Sequence, residues 1–160
     1  MIQRKQTIFY LVAILAAVIP LFGMDIITLS NEAVTHHITF TGASSETIAD
    51  GAVIELNPPS WPLYFGNLVL VALLLLTILF YKALRLQLRL GRFVLSVYLI
   101  VLALLVAFVY YLGQYMMVAG VATGFGMGSY IFASGIIFVW LGNRGVRRDK
   151  KLIDSVDRIR

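Results

Sequence analysis

The stretch Leu68–Phe80, LVLVALLLLTILF, is apolar at every position except Thr77, and it indicates the class of protein to which the chain belongs. It lies inside a longer uncharged segment from Leu63 to Tyr81. As a helix, that segment is long enough to cross a bilayer hydrocarbon core of about 30 Å. The composition agrees, since 60% of the 160 residues are hydrophobic, 13% are charged, and the mean hydropathy is +0.89. These values lie outside the range of soluble domains and indicate an integral membrane protein.

Three further runs without a charged residue resemble the first, at residues 8–22, 93–111 and 126–141. Together with residues 63–81 they predict an all-α fold, a bundle of four transmembrane helices in a single domain. The earliest run is also compatible with a cleaved signal peptide, although Pro20-Leu21-Phe22 makes a poor cleavage site.

The segment 25–60, between the first two runs, has the pattern of β-structure. In VTHHITFT, Val34, His36, Ile38 and Phe40 alternate with polar neighbours, which is typical of a strand with two different faces. The pair Asp50-Gly51 lies between two short apolar runs, which indicates a hairpin turn. We therefore expect a small extracytoplasmic β-sheet cap between the first and second helices.

The basic residues predict one orientation for the four spans. Two Lys or Arg residues precede the first run, four lie between the second and third, and seven follow the fourth, which accounts for all 13. Segments that would lie on the opposite side carry acidic residues and no basic ones. Because cytoplasmic loops are enriched in Lys and Arg, both termini are predicted to be cytoplasmic, in a bacterial inner membrane.

Catalytic and cofactor chemistry have little support in the sequence. The chain has no cysteine, no Asp, Glu, Lys, Arg or His within a predicted span, and no phosphate-binding loop or hydrolase motif. The pair His36-His37 is the one hint of a metal site, with Glu46 or Asp50 as further ligands. Adjacent strand residues point to opposite faces, however, which favours structural roles for both imidazoles. The prediction is a protein that is not an enzyme and needs no cofactor.

Small residues before and within the fourth run favour close helix packing. Gly120, Gly124 and Gly128 are spaced by four, and Ala133 and Gly135 continue the small surface. Such spacing lets helix backbones approach closely in lipid. Two interpretations remain open, namely packing within the bundle and a contact face for the helix of another subunit.

Two segments on the predicted cytoplasmic side are basic and have helical spacing. The tail, residues 143–160, is a candidate amphipathic helix, and the second segment joins the second and third runs. Anionic lipids of the cytoplasmic leaflet are the expected partners, with a protein-docking surface or, less favoured, nucleic-acid binding as alternatives. The residues predicted to make these contacts are Arg4, Lys82, Arg85, Arg89, Asn143, Arg144, Arg147, Arg148, Asp149, Asp157 and Arg158.

Both ends of the chain resemble a family of small four-span membrane proteins from Bacteroidota known as domain of unknown function 4293. The resemblance rests on MIQRKQT at residues 1–7, on Asn143, Arg144 and Asp149, and on an Asp-Arg-x-Arg ending at Asp157, Arg158 and Arg160. It implies an inner-membrane location and four spans, and it supplies no activity or catalytic residue. The matching residues cluster at the termini, so Gln3, Arg4, Gln6, Asn143 and Arg144 are expected to meet at the membrane surface.

These observations favour a non-catalytic accessory, assembly or stabilising subunit of a larger membrane complex. The alternative is an oligomeric transporter of small molecules or lipids, with a pathway lined by Asn67, Ser96, Gln114 and Ser134. A third possibility is a sensor whose outer cap binds a ligand.

Overall fold

Four helices and five short strands make up the described part of the chain. The computed structural model describes residues 5–30, 34–47, 53–56, 61–115 and 122–157. The helices are α1 (Lys5–Val18), which continues into a 3-10 turn (Ile19–Phe22), α2 (Trp61–Leu79), α3 (Leu84–Tyr115) and α4 (Met127–Asp157). The strands are β1 (Ile27–Ser30), β2 (Val34–Ile38), β3 (Ala43–Thr47), β4 (Val53–Leu56) and β5 (Ala122–Phe125).

The helices pack side by side around an apolar core. The N-terminal helix α1 contacts α4 and α2, and α3 contacts α2 and α4. Ala13 and Ala17 are fully buried on α1, and Leu70 and Leu74 are fully buried on α2. The alternation of small and large side chains lets the helices interdigitate.

The strands form one antiparallel sheet in the order β4-β3-β2-β1-β5. Strand β2 aligns Ile38 with Ile27 of β1 and with Ala43 of β3, and all three residues are buried on one side. The sheet packs on the start of α4, where the rings of Phe40 and Phe132 meet edge to face with centroids 5.1 Å apart. Burial against the helices gives this small sheet the stability that it would lack alone.

The fifth strand comes from a distant part of the sequence. Strand β5 lies between α3 and α4 and pairs with β1 over Ile27–Ser30. The connection continues into α4, because the backbone N–H of Gly126 donates to Ile26 O and that of Gly128 to Asp25 O, both at 2.9 Å. The sheet therefore ties the start of α4 to the segment that follows α1.

The prediction of an all-α bundle with four membrane spans is wrong. Within the described residues, only α2 and α3 are both long and apolar enough to cross a membrane, over Pro62–Leu79 and Leu84–Tyr111. Helix α1 has 14 residues, about 21 Å at 1.5 Å per residue. Helix α4 is long, but glycines and serines dilute its apolar half and charged residues occupy the rest. The sheet makes the fold a combination of helices and strands.

The two basic segments belong to long helices. Most of the segment between the second and third apolar runs is the start of α3, and the described part of the tail is the second half of α4. Both segments lie at the end of the molecule opposite the sheet, because Asn143 of α4 contacts Gly91 of α3, whereas Gly126 contacts Asp25. The charge asymmetry of the sequence thus corresponds to a basic end and a sheet end.

Candidate functional site

A buried hydrogen-bond chain joins three helices at the basic end. The hydroxyl of Tyr10 on α1 donates to Oδ1 of Asn143 on α4 at 3.0 Å. Nδ2 of Asn143 in turn donates to the carbonyl oxygen of Gly91 on α3 at 2.9 Å. Tyr10 is fully buried and Asn143 nearly so, so each polar group needs such a partner.

Glycines make this close approach possible. A Cβ at Gly91 would overlap Oδ1 of Asn143, and one at Gly142 would lie 3.0 Å from ring carbons of Tyr10. One turn on, a Cβ at Gly145 would lie 3.1 Å from Cβ of Gln6. Helices α1 and α4 therefore cross with almost no space between their backbones.

A groove of about 900 Å³ opens beside this crossing, between α1 and α4. It combines aromatic, amide and cationic side chains. Its lining residues are Gln6, Phe9, Trp140, Leu141, Asn143, Arg144, Gly145, Arg147, Arg148, Asp149 and Lys151. The apolar members lie toward the apolar half of α4 and the charged members toward its C-terminal end.

The positive charge of the groove comes from one face of α4. Arg144, Arg147, Arg148 and Lys151 follow helical spacing, so they project from the same side. The guanidinium of Arg144 lies over the ring of Trp140, 5.5 Å from its centroid. Among the described residues, no carboxylate forms a salt bridge with these four cations. Asp149 lines the groove and reduces its positive charge only in part.

Gln6 is the unusual polar residue of the groove. Its side chain is 2% exposed, and neither amide atom has a hydrogen-bond partner among the described residues. A buried amide without partners costs about 1–3 kcal/mol. A second glutamine, Gln87 on α3, is also buried and unpartnered, but it does not line the groove.

The comparison with protein families gives one match. The family model described as Domain of unknown function (DUF4293) matches residues 2–159. The chain belongs to this family. No curated protein matches it. The resemblance carried by the two termini is thereby confirmed, and it assigns no activity.

The residues of this family member that were predicted to make cytoplasmic contacts divide into three groups. Asn143, Arg144, Arg147, Arg148 and Asp149 line the groove together with Gln6. Lys82, Arg85 and Arg89 are exposed, in the α2–α3 turn and at the start of α3, and do not line it. Gln3, Arg4 and Arg158 lie outside the described residues, as does the side chain of Asp157, the last residue of α4.

The small residues predicted to form one helix-packing surface have different roles. Gly124 lies in β5 opposite Thr28, so the GxxxG spacing is not helical there. Gly128 begins α4 against the backbone of Asp25, and Gly135 lies against the ring of Tyr98. Ala133 is exposed, and Gly120 lies outside the described residues. The structure therefore replaces one continuous surface with separate contacts.

The two histidines of β2 have different surroundings among the described residues. Nδ1 of His37 lies 2.9 Å from Oδ2 of Asp25, and Nε2 lies 3.9 Å from Oε2 of Glu46. Burial, and then the neighbouring His37, lower the pKa of His36 below its usual value. Within the described residues, no three His, Asp or Glu side chains are placed to share an ion. Asp50, the other suggested ligand, lies outside them.

Sequence reasoning missed Tyr10, Phe9 and Gly91 as members of this region. Two of them carried a usable signal. A tyrosine in an apolar helix needs a partner for its hydroxyl. A glycine in a helix interior such as Gly91 costs about 1 kcal/mol relative to alanine, which suggests a close contact.

Proposed function

We propose that the protein is a non-catalytic integral membrane protein that acts as an accessory, assembly or stabilising subunit of a larger complex. The observation that carries the proposal is the uncovered apolar surface of α2 and α3. Only 28% of Pro62–Leu79 and 22% of Leu84–Tyr111 is buried inside the fold. A core helix of a soluble protein is mostly buried, and a signal sequence lies near the N-terminus, so neither description suits these helices.

The side chains on this surface are large and apolar. On α3, Phe93, Ile100 and Val106 are each more than half exposed, and on α2 so are Phe65, Val69 and Leu79. Exposed apolar area of this extent requires lipid or protein around it. We propose that α2 and α3 cross a bacterial inner membrane and that part of their surface contacts another subunit.

The charge distribution supports one orientation. The α2–α3 turn, the start of α1 and the second half of α4 lie at the basic end, and the sheet lies at the other. By the positive-inside rule, the end of α2 and α3 that carries the basic α2–α3 turn is proposed to be cytoplasmic.

The polar residues of the helices favour a subunit over a transporter. Asn67 donates to Ala17 O at 2.9 Å and thereby links α2 to α1. Ser96 and Ser134 donate to backbone oxygens of their own helices. Among the described residues, each of these three side chains donates to a backbone oxygen, which is a structural role, and the side chain of Gln114 lies outside them.

Photo-crosslinking in native membranes tests the proposal. A photoreactive phenylalanine analogue replaces Val106, which is 63% exposed, and the control replaces Leu105, which is 6% exposed on the same helix. A protein adduct of defined mass at position 106 and none at 105 is the expected result. Mass spectrometry of the adduct, and of companions retained in mild detergent, names the partner. A monomer without protein adducts at any exposed α2 or α3 position would contradict the subunit function.

A further inference from the structure

We propose that the groove between α1 and α4 binds the phosphate-bearing headgroup of an anionic phospholipid. The inference rests on the proposed membrane location and is independent of any partner subunit. It begins with charge, because the described lining of the groove includes four cations from one face of α4 and one carboxylate, Asp149. Arginine side chains bind phosphate oxygens well, since their planar donors match its geometry.

Gln6 is a second and independent indication of a ligand. It is 2% exposed, lines the groove, and leaves both amide atoms unpartnered. A phosphate oxygen at this position would accept a hydrogen bond from Nε2. Gln6 packs closely against Gly145 of α4, since a Cβ added at Gly145 would lie only 3.1 Å from Cβ of Gln6. This close packing limits the movement of the Gln6 side chain. The amide is therefore positioned by the fold and lacks only its partner.

The apolar wall of the groove favours a lipid over free phosphate. Phe9, Trp140 and Leu141 line it beside the cations. Trp140 is the last aromatic residue of the apolar half of α4, and Arg144 lies one turn further on. Tryptophan and arginine at such a boundary match the level of the lipid headgroups. The glycerol region and upper acyl chain would contact the aromatic rings while the phosphate contacts the cations.

Fluorescence quenching measures this binding on the full chain. The protein contains two tryptophans, so a Trp61→Phe background leaves Trp140, in the wall of the groove, as the sole emitter. Phosphatidylglycerol and phosphatidylcholine with brominated acyl chains are titrated separately into protein in neutral detergent. We expect phosphatidylglycerol to quench the fluorescence saturably. Its half-saturating concentration should be about tenfold or more below that of phosphatidylcholine. Inorganic phosphate serves as a competitor and should not displace the lipid at matched concentration.

Two matched pairs of variants locate the site. Arg147→Gln/Arg148→Gln should weaken phosphatidylglycerol binding about 30-fold, from about 1 kcal/mol per basic residue. Arg85→Gln/Arg89→Gln removes the same charge at the same end, outside the groove, and should change it less than threefold. Gln6→Met should weaken binding at least about tenfold through the lost hydrogen bond to a charged group. Its control, Gln87→Met, removes another buried unpartnered amide and should leave binding unchanged.

Three outcomes would overturn the assignment of a lipid site. They are equal quenching by both lipids, displacement by inorganic phosphate at matched concentration, and equal losses in groove and control variants. Because the assay uses the isolated protein, its result does not depend on whether a companion subunit exists. Specific lipid binding without a partner leaves this inference intact, and a partner without specific lipid binding refutes it alone.

Discussion

Replacing Asn143 by alanine should destabilise the packing of α1, α3 and α4. The substitution removes the bond from the Tyr10 hydroxyl at 3.0 Å and the bond to Gly91 O at 2.9 Å. Each hydrogen bond contributes about 0.5–1.5 kcal/mol, and the Tyr10 hydroxyl, fully buried, would be left without an acceptor at a cost of about 1–3 kcal/mol. Because these contributions overlap, we expect the free energy of unfolding to fall by about 2–4 kcal/mol.

A double-mutant cycle isolates the contact itself. Tyr10→Phe removes the hydroxyl, so the combined variant with Asn143→Ala no longer buries an unpartnered group. Polar contacts between membrane helices give coupling energies averaging about 0.6 kcal/mol and reaching about 1.7. We expect a value in the upper part of that range, because both partners are buried.

The assay is a guanidinium titration in neutral detergent micelles, followed by far-ultraviolet circular dichroism. Ser134→Ala is the control on the same helix, since its hydroxyl donates only to Ile131 O one turn earlier. It should change the free energy of unfolding by less than about 0.5 kcal/mol. If Asn143→Ala is as stable as Ser134→Ala, or if Tyr10→Phe and Asn143→Ala are simply additive, the hydrogen-bond chain does not hold the helices together.

Three further predictions concern a glycine contact, a histidine and the sheet. Gly91→Ala should lower the melting temperature, because the added Cβ would overlap Oδ1 of Asn143. The control Gly66→Ala should preserve or raise the melting temperature, because its Cβ would meet only a methyl group at 3.4 Å. Equal effects of the two variants would contradict the close approach at Gly91. Because burial, and then the neighbouring imidazole, lower the pKa of His36, the folded state favours its neutral form. The stabilisation from a neutral His36 is therefore complete above the unfolded pKa of about 6.5, and it is lost as the pH falls from that value toward the lower pKa of the folded state. His36→Gln should reduce the decline in melting temperature between pH 7.5 and 5. An unchanged pH profile would refute this prediction. Phe40→Ala should destabilise the fold by about 3–5 kcal/mol in the same guanidinium titration, because its ring is fully buried against Phe132, and a loss below about 1 kcal/mol would show that the sheet is not anchored there.

The sequence predicted the helical segments well but miscounted those that could span a membrane. Apolar run length identified the cores of α2 and α3, which meet both the length and the hydropathy requirement. Apolar run length also predicted membrane spans at α1 and α4, which do not meet both requirements. The former is only 14 residues long, and the latter mixes small, polar and charged residues. Their place in the fold comes from burial against neighbouring helices.

The groove could be predicted in part. The basic residues of the tail and their helical spacing were visible, as was the expectation that Gln6, Asn143 and Arg144 meet. The hydrogen bond between Tyr10 and Asn143 could not be predicted from sequence periodicity, because the two residues are 133 positions apart and no local pattern couples them. Strand β5 was missed for a similar reason. Its ATGF sequence has little strand character of its own and becomes a strand by pairing with β1.

The sequence alone therefore determined the apolar helices, the short strands between α1 and α2, and the segregation of basic residues, because each depends on local composition and spacing. The tertiary structure decided which helices approach closely, which strand completes the sheet, and which cations share a groove with an unpartnered amide. Those features depend on contacts between distant segments, where the fit of a glycine against a side chain selects one arrangement among many that share the same apolar pattern.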